Sequence, residues 1–278
     1  MSAYESKWLR RLLYLFLVVK CVYWLIDFDL LFGEHNIVYK NNVQLGFIKS
    51  WAYFLYDTES SLRAKFILTA TICFSILGLF AKRYARLIAI VCWFLLTNIN
   101  NAIYTTLSGG DFLVQQLLFF NTFLSSGMSI KKENLFDLDK AIHNTGVLAL
   151  KIQICLVYFI SGVIKILDVD WQSGDAISQI FLIKDFGFPM MYEKLYQHVG
   201  ILKVLTYFIL GYQLLFPLLI GWKKIKKPFI VIGVIQHLYI AFIMGLPTFG
   251  CIMIIAYSIF YFPNLSVPSL NSPSMRAG

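Results

Sequence analysis

The sequence predicts an all-α polytopic membrane protein of about eight transmembrane helices with interfacial helices beside them, and three observations carry that reading. Apolar residues fall in continuous blocks of roughly 17 to 25, the length a helix needs to cross about 30 Å of hydrocarbon at about 1.5 Å per residue. Of the 278 residues 59% are hydrophobic and only 14% are charged. With a mean hydropathy of +0.70, the chain is too apolar to wet its whole surface. Positive charge, finally, returns on every second loop. Because the blocks are continuous rather than alternating, helices and not a barrel do the crossing.

The predicted spans are residues 11–31, 64–81, 84–105, 111–127, 146–167, 201–221, 227–244 and 248–262. The first follows Lys7, Arg10 and Arg11 and has no small-residue cleavage site behind it, so it reads as an uncleaved anchor with a cytoplasmic N-terminus. Alternation then places Lys82, Arg83 and Arg86, then Lys131, Lys132 and Lys140, then Lys223, Lys224, Lys226 and Lys227 on the cytoplasmic side. The long loop after the fifth span carries Asp168, Asp170, Asp175, Asp185 and Glu193 and falls on the outer side. This distribution accounts for the formal charge of +9 by cytoplasmic loops facing anionic lipid, with no need of a nucleic-acid partner.

Two stretches outside the spans read as interfacial. Residues 32–63 hold an aromatic run from Phe47 through Tyr56, with Trp51 and Tyr53, which suits the headgroup level. Residues 168–200 hold a short helix from Ala176 to Ile183, a break at Phe186 to Pro189, and a resumption at Tyr192 to Gln197. Residues 1–263 form one transmembrane domain, and 264–278, rich in proline and serine, read as a disordered cytoplasmic tail. Cys21, Cys73, Cys92, Cys155 and Cys251 all fall within spans, with no C-x-x-C pair and no zinc spacing, so they read as packing and no metal site is expected.

The polar residues inside the spans carry the functional argument. Lys165 lies in an apolar helix just before the acidic turn Asp168 to Asp175, and an ionisable group at that depth costs roughly 2.5 to 3.5 kcal/mol on insertion scales. Asp168 falls one turn ahead of it, where opposite charges can meet. The alternative is a lysine that snorkels to the headgroups. Asn98 and Asn101 share a face of the third span, as helix glue or as ligand contacts. Gly109 and Gly110 suit a sharp outer turn, and Asp111 follows at a helix N-terminus. His237 and Gln236 lie near the middle of the seventh span and Gln213 in the sixth, each needing a partner. Lys20, with no acidic residue three or four positions away, reads as structural. An outward-opening polar pocket is the simplest way to bury these groups together.

The run Tyr158 to Ala176, with Ser161-Gly-x-x-Lys165 followed by Trp171, Gly174 and Ala176, resembles the HTTM family, the horizontally transferred transmembrane domain related to the membrane part of vitamin K-dependent gamma-carboxylase. The asparagine-bearing helix leading into Gly109-Gly110-Asp111 and the histidine of the penultimate span, His237, resemble the family's other two signatures in order and spacing. The resemblance implies a bundle of eight or nine helices with its site opening away from the cytoplasm and Lys165 as a base toward a quinol-type lipid-soluble cofactor; beside such a base His237 reads as a relay or an orienting partner. The chain lacks the carboxylase's extracytoplasmic region and has Gln213 where relatives often carry a glutamate. Its compact form is more similar to bacterial proteins of the sporulation-delaying-protein B type, which assist a secreted peptide.

These readings make the chain a bacterial cytoplasmic-membrane enzyme or maturation factor for a secreted peptide, with Lys165 and His237 catalytic and Asn98, Asn101, Asp111, Asp168, Trp171 and Gln213 forming the pocket. One alternative is a non-enzymatic chaperone, export or immunity partner of such a peptide or of another membrane subunit. Another is a proton-coupled transporter, for which no inverted repeat or paired broken helices speak.

Overall fold

The computed structural model describes residues 5–33, 61–81, 83–124, 138–183 and 196–261. The aromatic run from Phe47 to Tyr56, the break at Phe186 to Pro189 and the tail 264–278 lie outside the described residues. Among the described residues all regular structure is helical. The helices are α1 (Glu5–Ile26), α2 (Phe28–Phe32), α3 (Ser61–Phe80), α4 (Ala85–Ala102), α5 (Gly109–Asn121), α6 (Leu138–Ile166), α7 (Val169–Ser173), α8 (Ala176–Leu182), α9 (Val199–Leu219), α10 (Lys226–Phe242) and α11 (Pro247–Tyr257), with short 3-10 turns at Tyr104–Thr106, Tyr196–His198 and Ser258–Tyr261.

Four of these helices, α3, α4, α6 and α9, are long and apolar enough to cross a membrane. Three of the other four predicted spans, α1, α5 and α11, differ in instructive ways. The α1 helix has 22 residues, but Arg10, Arg11 and Lys20 interrupt its apolar character. The α5 helix has only 13 residues and α11 only 11, about 20 and 16 Å of rise, short of the roughly 30 Å of hydrocarbon. A physical cause for the end of α5 is visible. Arg10 donates to Asn121 Oδ1 at 3.1 Å and to Leu124 O at 2.6 Å, and Arg86 donates to Phe123 O at 3.3 Å. Two guanidinium groups thereby satisfy the carbonyls that a continued helix would have paired internally.

The bundle is built around α1, which packs against α3, α5 and α11. Its buried residues Leu9, Leu13, Leu17 and Cys21 recur every fourth position and define the stripe that faces the core. The α11 helix packs in turn on α10 and α5, α4 lies between α3 and α5, and α6 pairs with α9 and touches α5. The small helices α7 and α8 lie against α9, where Lys203 pairs with Asp175 at 3.3 Å. Gly174, with φ of 83°, closes α7 in the left-handed region.

Charge is sorted by level. At one end Arg10 and Arg86 cap α5, and Arg86 also pairs with Asp139 at the start of α6. Toward the other end Lys20 pairs with Asp111 and donates to Thr248 Oγ1 at 2.9 Å. All five cysteines are free thiols.

Candidate functional site

Lys165 sits at the edge of a cavity of about 470 Å3 between α5, α6 and the start of α11. The α6 wall is one stripe of that helix, Gln153, Leu156, Val157, Ile160, Ile164 and Lys165, at the three- and four-residue steps that share a helix face. Gly109, Phe112, Leu113 and Gln116 of α5, with Phe249 of α11, form the opposite wall. The lining is apolar apart from the amine, the Ser161 hydroxyl and the two glutamines, which hydrogen-bond to each other.

The Lys165 amine is held in place by neutral groups. It donates to Ser161 Oγ at 2.7 Å, one turn back on α6, and lies 5.1 Å from the centroid of the Trp171 ring. Ser161 in turn faces Gln213 Oε1 at 3.4 Å, so the expected pocket residues Trp171 and Gln213 both belong to the setting of Lys165. Asp168 does not pair with it. The α6 helix ends at Ile166, and the Asp168 carboxylate turns to the amides of Asp170 and Trp171 at 3.0 and 3.3 Å, capping α7. Among the described residues no carboxylate reaches ion-pair distance of Lys165.

His237 belongs to a different cluster. Its ring is 2% exposed and its Nε2 lies 2.6 Å from the Tyr158 hydroxyl. Tyr158 also meets the Tyr257 hydroxyl, which lies 3.3 Å from that of Tyr212, and Tyr212 donates to Phe229 O at 3.0 Å. Each hydroxyl has one proton, and the last is spent on a carbonyl that can only accept. A proton therefore lies in every contact only if Tyr257 donates to Tyr212, Tyr158 to Tyr257, and His237 Nε2 to Tyr158. That arrangement leaves His237 Nδ1 as the acceptor nitrogen, and it has no partner among the described residues. Gly233 makes the convergence possible, since a Cβ there would strike both the Tyr257 and the Tyr212 hydroxyl. Phe249 stands between this cluster and the cavity. Its ring centroid is 5.7 Å from that of His237, and it lines the Lys165 cavity, which His237 does not.

The remaining expected pocket residues are placed elsewhere. Asp111 completes a capping box with Ser108, accepting from its amide at 2.8 Å, and binds Lys20. Gly109 and Gly110 are the first residues of α5 rather than a turn, and neither has positive φ. Gly110 serves close approach, because a Cβ there would meet the backbone of Thr248 and Phe249. Asn98 is buried and donates to Phe94 O at 3.0 Å. It borders a second cavity, of about 490 Å3, with Arg63, Phe66 and Leu95. Asn101 is half-buried at the end of α4. The asparagine that joins helices is Asn100, which donates to Gln115 Oε1 at 2.9 Å while Gln115 donates to Thr97 at 3.0 Å. Sequence reasoning passed over Asn100, Gln115 and the tyrosines. The i, i+3 spacing of Thr97 and Asn100 was the available signal for the first pair, and the hydroxyl cluster, drawn from three helices, offered none.

Taken together, the chain places a lysine amine with spare donors in an apolar cavity and, behind one phenylalanine, a histidine with an open acceptor. The first arrangement can bind or deprotonate an acidic head group, and the second can hold a proton donor that reaches it. No protein-family profile, no curated protein and no solved structure matches this chain.

Proposed function

We propose that the chain is an HTTM-like polytopic protein of a bacterial cytoplasmic membrane, with eight crossings and both termini cytoplasmic, that acts on a secreted peptide through an outward-facing site at Lys165. One observation supports this reading above the others. The Lys165 amine stands in an apolar cavity with a hydroxyl and an indole as its companions and, among the described residues, no carboxylate at ion-pair distance, so that its remaining hydrogen-bonding capacity is open to the acidic group of a ligand. Ser161 and Gln213 fix the position of the nitrogen, and Asp168, spent on α7, does not hold it charged.

A quinol-type cofactor fits this lining. Phe112 and Phe249 offer aromatic walls, and Lys165 and Ser161 offer polar contacts to a hydroxyl. Such a group, when bound, would supply an oxidisable hydroxyl of low enough pKa to be deprotonated. The test compares cells carrying wild-type protein, a deletion, Lys165→Met and Lys165→Arg, reading the masses of secreted peptides and the amount of protein in the membrane. Lys165→Met is expected to give the deletion's peptide profile at wild-type abundance. A wild-type profile from that variant would end the claim.

A second reading, a non-catalytic partner of the peptide, is favoured by the separation of His237 from the Lys165 cavity. Under it Lys165→Met is mild and Trp171→Ala severe in the same assay.

A further inference from the structure

The cavity at Lys165 has a shape as well as a chemistry. Its α6 wall runs from Gln153 to Lys165, about 18 Å at 1.5 Å per residue, close to the roughly 15 Å that one leaflet contributes to the hydrocarbon. The cation stands at the end shared with the acidic α7 turn, and the hydrogen-bonded pair Gln153 and Gln116 closes the far end. The groove faces out of the bundle, since Ile160 and Ile164 are 52% and 62% exposed.

We propose that this groove binds a long-chain carboxylate, its head on the Lys165 amine and its single chain laid along α6 toward Gln153. The charges complement each other. An ammonium has three donors, Ser161 takes one, Trp171 covers one side, and the others point to an anion that no residue of the chain's described part supplies. A carboxylate there gains charge-assisted hydrogen bonds in an apolar setting. A cavity of about 470 Å3 is of the size that holds one small ligand, whereas a two-chain lipid would leave its second chain outside. The inference rests on Lys165 marking a ligand site, but not on any proton transfer. A carboxylate would occupy the amine that a cofactor hydroxyl needs, so it would compete with that ligand.

The experiment uses full-length protein in nanodiscs of phosphatidylcholine, titrated with the fluorescent fatty acid cis-parinarate. Saturable binding is expected, weakened about tenfold or more by Lys165→Met, as loss of a charge-assisted contact requires, and largely retained by Lys165→Arg. The methyl ester, which has the chain without the charge, should bind as weakly to wild type as the acid binds to Lys165→Met. Ile160→Trp, which fills the groove and leaves the amine, should abolish binding while the protein elutes as a single folded species. Equal binding of acid and ester, or wild-type binding by either Lys165→Met or Ile160→Trp, would overturn the proposal. So would displacement by phosphatidylglycerol as effective as displacement by oleate, which would assign the groove to a two-chain lipid. If Lys165→Met loses peptide processing yet binds parinarate normally, this inference alone fails. The opposite pattern removes the functional reading alone.

Discussion

Gly109 and Gly110 are adjacent in sequence and opposite in duty. A Cβ on Gly109 meets nothing within 4 Å, whereas one on Gly110 meets the backbone of Thr248 and Phe249, which cannot rotate away as a side chain would. Gly110→Ala should therefore destabilise the protein by about 1–3 kcal/mol, the usual cost of overpacking, or more. Gly109→Ala should be neutral or stabilising by up to about 1 kcal/mol, because alanine loses less freedom on entering a helix. Thermal unfolding in nanodiscs reads both, and equal effects would refute the close approach of α5 and α11. The pair was conspicuous in the sequence, but a turn and a helix crossing ask for the same residue, and only the position of α11 separates them. Tyr158 gives a second case. Replacing it with Phe keeps the ring against Phe216, at a centroid distance of 4.0 Å, but removes the hydroxyl that joins His237 to Tyr257. Leaving those buried groups unpaired should cost about 1–3 kcal/mol in the same measurement. An unchanged unfolding temperature would show that water or a rotamer change satisfies them.

At the scale of helices, much of the order was legible. Apolar blocks located α3, α4, α9 and α10 to within a few residues, because each block is bounded by charge or by a turn. The α6 helix begins eight residues before the predicted span, at Leu138, since Asp139, Lys140 and His143 interrupt the hydropathy without interrupting the backbone. What the sequence could not supply was pairing between helices. Lys20 has no acid within a turn, yet it meets Asp111 on α5 and Thr248 on α11, and so ties three helices at one level. Breaking such a buried pair by Lys20→Met or Asp111→Asn alone is expected to cost about 3–5 kcal/mol, since the partner charge is stranded. The double variant, which strands nothing, should recover much of that loss. A double-mutant cycle in urea checks it, and strictly additive single effects would show that the two groups do not interact.

At the scale of the molecule, the charges lie in two levels joined by α6. From Asp139, which binds Arg86 at one end, to Lys165 at the other, that helix rises about 39 Å, more than the hydrocarbon thickness, long enough for both ends to reach headgroups even with some tilt. The short α5 and α11 cannot span alone; they meet at the Lys20 level, and the 3-10 turns Tyr104–Thr106 and Ser258–Tyr261 flank them. The proposed topology follows from this layering and from the basic loops, and it makes a parity prediction. Thr105 precedes α5 and Lys224 follows α9, so α5, α6 and α9 lie between them, three crossings if α5 and its flanking turns traverse the bilayer. An odd number puts the two positions on opposite sides. A membrane-impermeant maleimide added to intact cells should label Thr105→Cys above the background of the native thiols, and should label Lys224→Cys only after permeabilisation. Labelling of both from outside would mean that α5 enters and leaves by the same face. The α6 helix would then be inverted and the Lys165 groove would open toward the cytoplasm, so an extracellular peptide would no longer be within reach of the amine.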